Sequence, residues 1–170
     1  GAGLNGPRVS EGRAEVNSPP PDIPGVLAPP PVIALAWFAG GLLAERAVPV
    51  PRLHARSLGV PLVIGGALLA GWAIGTMRNA RTPVSPFEPS TELVTEGPFR
   101  FTRNPIYLGG ILLYAGLALL LDRLGPLLLL PGLLATLKRG VIEREERFLE
   151  RRFGDRYREY QAAVPRWLPD

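Results

Sequence analysis

Residues 59–77, GVPLVIGGALLAGWAIGTM, run for nineteen positions without a charged side chain. As a helix this stretch is about 28 Å long, close to the thickness of a bilayer's hydrocarbon core. Three more uncharged runs flank it. Residues 32–44 form the first, extended past Glu45 and Arg46 by AVPV to about residue 50. Residues 105–121 and 124–137 form the other two, separated only by Asp122 and Arg123, a polar pair that reads as a helical-hairpin turn. Lys138 and Arg139 can lay their stems along apolar surface and keep their charges at the interface, which carries the last run to about residue 140. Spans are therefore expected at about 32–50, 59–77, 105–121 and 124–140. Pro126 and Pro131 predict a bend or break in the fourth.

Composition supports this reading. Of 170 residues, 46% are hydrophobic and only 20% charged, and the charges are clustered rather than spread as a soluble surface requires. The expected fold is all-α: a polytopic membrane helix bundle of four transmembrane helices followed by a C-terminal amphipathic helical segment. Gly65, Gly66, Ala70 and Gly71, with Gly109, Gly110 and Gly116, offer the small surfaces that let membrane helices approach closely. Residues 1–31, with GAGLNG and two proline triplets, read as a flexible, polyproline-like leader without the pattern of a signal peptide. Residues 32–170 form the membrane domain, of which 141–170 are the cytosolic or interfacial part.

The formal charge is +4, and the chain has no cysteine, which excludes disulfides, a thiol nucleophile and thiolate metal sites. The basic residues sit in juxtamembrane clusters, unlike a nucleic-acid-binding domain, so no nucleic-acid partner is expected. Arg78, Arg81, Arg100 and Arg103 lie between the second and third spans, whereas the loop after the third holds only Arg123. The positive-inside bias then predicts cytoplasmic N- and C-termini in a plasma membrane or bacterial-type inner membrane. His54 stands alone in an opposite-side loop and makes no metal site.

Two polar segments share the cytoplasmic side. In TPVSPFEPSTELVTEGPFRFTRNPIY, residues 82–107, prolines disfavour one long helix, and residues 93–95 read as a short extended piece entering a turn at Glu96-Gly97-Pro98. Arg100 and Arg103 suit an acidic ligand, and Asn104 suits a helix cap before Pro105. In VIEREERFLERRFGDRYREYQAAVPRWLP, residues 141–169, an amphipathic helix is expected to end or bend at Gly154. Tyr157 and Tyr160 then share a face, and Pro165 and Trp167 start a closing segment. Together the two segments could close over a cofactor that carries opposite charges at its ends.

Read as a pair, EGPFRFTRNPIYLG at 96–109 and EERFLERRFGDRYREY at 145–160, with PRWLP from Pro165, resemble the isoprenylcysteine carboxyl methyltransferase and phospholipid methyltransferase superfamily. The resemblance covers about the last 80 residues of the chain. It implies an integral membrane methyltransferase that uses S-adenosylmethionine in a cytosol-facing pocket. On the matching positions it places Arg103, Asn104, Tyr107 and Gly109 beside the cofactor, with Glu145, Glu146, Leu149, Tyr157 and Tyr160 completing the pocket. Arg103, Glu145 and Arg166 are the catalytic candidates. Glu145 or Glu146 would engage the cofactor's cationic groups, and Arg103 and Arg166 would orient an acidic acceptor. The superfamily's arginine-histidine-proline is Arg103-Asn104-Pro105 here, and an amide cannot replace imidazole proton transfer.

The implied activity is methyl transfer to a lipidic or small hydrophobic acceptor, such as an isoprenylcysteine-type carboxylate. A phospholipid amine is the alternative acceptor, and a scaffold or binding module with weakened chemistry is the alternative to an enzyme. Transport is disfavoured because the apolar runs within the spans carry no charge that would form an ion relay. The partner is a membrane lipid or lipid-linked acceptor, with no metal; the sequence leaves the oligomeric state open.

Overall fold

Over residues 23–48 and 50–167, the part that the computed structural model describes, the chain is helical and contains no strand. Seven α-helices follow one another: α1 Pro30–Ala47, α2 Arg56–Asn79, α3 Pro105–Leu120, α4 Leu124–Leu128, α5 Leu130–Leu137, α6 Glu143–Phe153 and α7 Asp155–Ala163. A 3-10 turn, Gly97–Arg100, and a π turn, Lys138–Ile142, complete the set.

The α2–α3 pair organises the bundle. A Cβ on Gly66 would lie 2.6 Å from the Gly109 carbonyl oxygen, and one on Gly59 would lie 2.6 Å from that of Gly116. The helices are thus antiparallel and in backbone contact, as small-residue faces allow. α1 runs antiparallel to α4 and α5 by the same device. A Cβ on Gly41 would strike the Pro126 backbone, and one on Gly132 would strike the Trp37 ring.

The apolar runs and the helices correspond, but only α2 is both long and apolar enough to cross a membrane among the described residues. α3 is apolar and shorter. α1 starts with two prolines and ends with Glu45-Arg46-Ala47, which dilute its hydropathy. The expected fourth span is not one helix. It stops after Leu128 and restarts at Leu130, with Pro131 in the first turn of the new helix, where a missing N–H does no harm. Glu45 accepts a 2.6 Å bond from the Gly125 N–H, and Tyr114 Oη donates to the Pro126 carbonyl at 3.0 Å, so the broken segment is braced from α1 and α3.

Of the expected leader, residues 1–22 lie outside the described residues. Its last proline triplet is not extended throughout, because Pro30 and Pro31 begin α1, where fixed φ is pre-organised for a helix. The stretch before α1 is tied down: Leu27 N–H donates to the Gly140 carbonyl, and Arg144 Nη1 donates to that of Gly25 at 2.7 Å. Residues 93–95 are irregular rather than a strand. The turn at Glu96-Gly97-Pro98 is present, with Gly97 at φ +57 and without room for a Cβ, which would lie 2.7 Å from Thr76 Oγ1.

α5 passes into α6 through the π turn without leaving helical backbone angles. A π turn resets which positions face inward along the helix that follows. After it Glu146 and Phe148 are buried, Glu145 and Leu149 are half-buried, and Arg144, Arg147 and Arg151 are exposed. Gly154, at φ +57, separates α6 from α7 at the expected position.

Candidate functional site

Residues 102–104 and 165–166 are bound together by backbone and side-chain hydrogen bonds. Arg103 N–H donates to the Pro165 carbonyl at 2.9 Å. Thr102 Oγ1 and Asn104 Nδ2 both donate to the Arg166 carbonyl, each at 3.0 Å. The α3 N-terminus and the C-terminal segment are therefore one structural unit. Asn104 is buried and its amide serves this junction, while its side chain makes no cap bond to α3.

Glu146 is the electrostatic centre of that unit. Arg166 binds it bidentately, Nε to Oε1 at 3.0 Å and Nη2 to Oε2 at 2.6 Å. Arg103 Nη1 lies 3.0 Å from Oε1 on the other side. The carboxylate is shared by two guanidinium groups with little exposure, so it must be paired to be tolerated there. Hydrogen bonding to Glu146 raises the Arg166 pKa, which keeps that group charged. Arg103 is differently placed. Among the described residues its Nε and Nη1 are buried without a hydrogen bond of good geometry, although Nη1 is within ion-pair reach of Glu146.

Glu145, next along α6, faces elsewhere. Its Oε1 accepts a 2.6 Å bond from Tyr107 Oη on α3. Desolvation pushes its carboxyl up to about 7; the Tyr107 hydrogen bond opposes that rise and the neighbouring Glu146 charge adds to it. Tyr157 and Tyr160 pack beneath, ring centroids 6.2 Å apart, with Tyr160 Oη donating to the Phe99 carbonyl at 2.7 Å. Burial pushes the Tyr157 hydroxyl up to about 12, assisted by Glu146 and opposed by Arg103, and it also raises Tyr160. Both tyrosines stay protonated.

These groups border a cavity of about 890 Å³. Arg103, Asn104, Tyr107, Glu145, Glu146, Leu149, Tyr157 and Tyr160 all line it. Two of the expected site residues sit elsewhere. Gly109 is in the α2–α3 contact, where an added Cβ would meet the Gly66 oxygen at 2.7 Å, and Gly110 lines the cavity instead. Arg166 stands behind Glu146 and outside the lining, bound to the carboxylate rather than open to a ligand.

Other residues contribute to the site without a motif that marks them. Thr102, nearly inaccessible, helps hold the C-terminal segment, yet nothing but its place beside Arg103 marks it. Phe38 of α1, Leu133 and Leu137 of α5, and residues 82–86 supply cavity wall. Their apolar or proline-rich runs signalled membrane or loop, and no motif pointed to a pocket.

The set suits a ligand that carries both signs of charge. Arg103 presents a buried Nε that makes no hydrogen bond among the described residues, beside an Nη1 paired with Glu146; Glu145 presents a carboxylate bonded to a single hydroxyl, and the rest of the wall is largely apolar. S-adenosylmethionine, with a carboxylate at one end and cationic groups nearby, fits this donor set, and the volume lies within the range of small-molecule pockets.

In comparisons with known proteins, the family model described as Phospholipid methyltransferase matches residues 55–156. No curated protein and no solved structure matches the chain. The matched region takes in α2, α3 and α6, hence both halves of the cavity wall around Arg103 and Glu145, and it covers more than half of the chain. The chain belongs to the phospholipid methyltransferase family, within the isoprenylcysteine and phospholipid methyltransferase superfamily.

Proposed function

We propose that the protein is a membrane methyltransferase that uses S-adenosylmethionine to methylate a lipidic or hydrophobic acceptor in the cavity between α3 and α6. The observation that carries this reading is the meeting of the two sequence motifs, 96–109 and 145–160, around one cavity with Arg103 and Glu145 in its wall. In this reading four spans cross the bilayer, α4, α5 and the start of the π turn together serving as the fourth over about residues 124–140. The cavity then faces the cytoplasm with both termini, on the side richer in arginine.

S-adenosylmethionine, when bound, supplies a sulfonium methyl group open to direct in-line attack. Arg103 binds and orients a carboxylate through Nε, which makes no hydrogen bond within the described residues, while Nη1 stays paired with Glu146. Glu145 holds a cationic group and is itself held by Tyr107. Glu146 and Arg166 keep the Arg103 guanidinium in place, so Arg166 is a positioning residue here rather than an acceptor ligand. The apolar wall excludes water that would compete with the acceptor, and alignment supplies much of the rate. Asn104 acts through the junction with Arg166 and transfers no proton.

The acceptor's reacting group decides how Glu145 is used. A carboxylate, as on an isoprenylcysteine, arrives ionised and needs no base. A phospholipid amine must lose a proton, and a carboxyl group with a pKa of about 7 at the cavity wall is suited to take it.

The test is incubation of reconstituted protein with labelled S-adenosylmethionine and a host lipid extract, followed by mass-spectrometric identification of methylated product. Label should appear in an organic-soluble species and be lost in Glu145→Ala. Label that never leaves the cofactor, with folded protein throughout, would favour a binding module over an enzyme.

A further inference from the structure

The segment that leads into α1 runs against the π turn and the start of α6. Leu27 N–H donates to the carbonyl of Gly140, in the middle of that turn, at 3.0 Å. Arg144, the neighbour of Glu145 in α6, donates from Nη1 to the Gly25 carbonyl at 2.7 Å. Between these bonds Val26 is buried in one cluster with Tyr114, Leu133, Leu137 and Val141, and Tyr107 packs against the same cluster. Pro24 lines the cavity itself.

These contacts reach the supports of both partners in the Tyr107–Glu145 bond. A π turn interrupts the regular ladder of helix hydrogen bonds, and a bond from outside the helix fixes the chain where that ladder is interrupted. Holding the Arg144 side chain restrains rotation of α6 about its axis, and Glu145 lies only about 100° further round the helix. The Leu27 side chain is 64% exposed, so Leu27 serves here through its N–H more than through apolar burial. Gly25 stands at φ +63, a left-handed conformation that glycine adopts without strain. The segment precedes residues 55–156, the region that the family model matches, so the hold is read from this chain's own contacts.

We propose that residues 24–27 are a positioning strap for the cofactor site: they hold the π turn and Arg144 so that Glu145 meets Tyr107 at the cavity wall, where it binds the cofactor's cationic group. The identity of that ligand rests on the methyl-transfer reading above, whereas the hold on Glu145 does not.

The test compares the whole chain in lipid nanodiscs with three variants. Leu27→Pro removes the N–H donor, Arg144→Ala removes the second bond, and Arg144→Lys keeps one cationic donor. The readout without cofactor is the infrared carboxyl band of Glu145, identified by its loss in Glu145→Gln. In wild-type protein the band should titrate near pH 7. In Leu27→Pro and Arg144→Ala it should titrate at lower pH, because a carboxyl released towards water ionises more readily, and Arg144→Lys should restore the wild-type midpoint. The Kd for S-adenosylmethionine should rise about fivefold or more in the first two variants and stay within about twofold of wild type in Arg144→Lys. If Leu27→Pro does not fold, Gly25→Val, which strains the left-handed position at an exposed residue, takes its place. An unmoved band in folded Leu27→Pro and Arg144→Ala would overturn the strap, whatever the Kd. A moved band with an unchanged Kd would overturn its link to the cofactor. A moved band with no S-adenosylmethionine binding even in wild-type protein would overturn the methyl-transfer reading and leave the hold on Glu145 standing.

Discussion

Tyr107 and Glu145, 38 residues apart, meet through a 2.6 Å hydrogen bond that joins α3 to α6 across the cavity. Neither residue has an obvious purpose alone: tyrosine suits a membrane interface, and a glutamate in an arginine-rich helix suits a solvated face. Their contact gives the cavity a carboxylate that is bonded on one side and open on the other.

Burial of Glu145 makes stability depend on pH in a defined sense. Its folded pKa is raised from 4.5 to about 7, so between those values the native state holds more proton than the unfolded state. Stability from this group is full below about pH 4.5 and is lost as pH rises through about 7. Glu145→Gln should therefore raise Tm more at pH 8 than at pH 5. Thermal denaturation in detergent at the two values checks the difference; an equal shift at both would contradict it.

Among the described residues Glu146 is the one acidic partner of the Arg103 and Arg166 guanidinium groups. Its removal strands buried Arg103 and frees Arg166. Glu146→Ala should cost about 3 kcal/mol, as for other broken buried pairs, and raise the Kd for S-adenosylmethionine by about tenfold or more. Arg166→Ala, whose side chain is 29% exposed, should cost less stability. Chemical denaturation of the two variants and their double mutant gives the coupling energy.

Neighbouring glycines should behave differently. Gly109→Ala forces a Cβ to 2.7 Å from the Gly66 oxygen and should destabilise by about 1–3 kcal/mol, the usual range for overpacking. Gly110→Ala has open space before it and should leave Tm unchanged or slightly raised. Melting curves of the pair decide the matter.

Gly109 also shows what one sequence can and cannot convey. The apolar runs located α1, α2 and α3 to within a few residues, because a span is defined by the absence of charge along a stretch. Arg103, Tyr107, Glu145 and Tyr157, which line the cavity, were named by the family resemblance that the paired motifs carry, not by their charge or spacing alone. Facing was less legible. Gly109 and Gly110 are identical in type, and only the antiparallel register of α2 assigns one to packing and the other to the cavity. Pro131 signalled a break, yet the π turn at Lys138–Ile142 has no marker in residue type, and that turn precedes the α6 positions whose Glu145 and Glu146 both line the cavity. Arg166 looked like an acceptor ligand because its long-range bond to Glu146 is invisible until the chain is folded.

Asn104 tests the junction between the two halves of the site. Asn104→Ala removes the 3.0 Å bond to the Arg166 carbonyl and should cost about 1 kcal/mol. Faster amide hydrogen exchange at Arg103, whose N–H donates to Pro165, is the local readout. Unchanged protection there would mean that the amide does not hold the segment.

In the proposed function Arg103 and Glu145 hold S-adenosylmethionine at the end of the bundle. Isothermal titration of the detergent-solubilised protein tests it most directly. Saturable binding is predicted, weakened about tenfold or more by Arg103→Ala and by Glu145→Ala in protein that remains folded. No saturable binding to folded wild-type protein, or binding that both substitutions leave unchanged, would contradict the account.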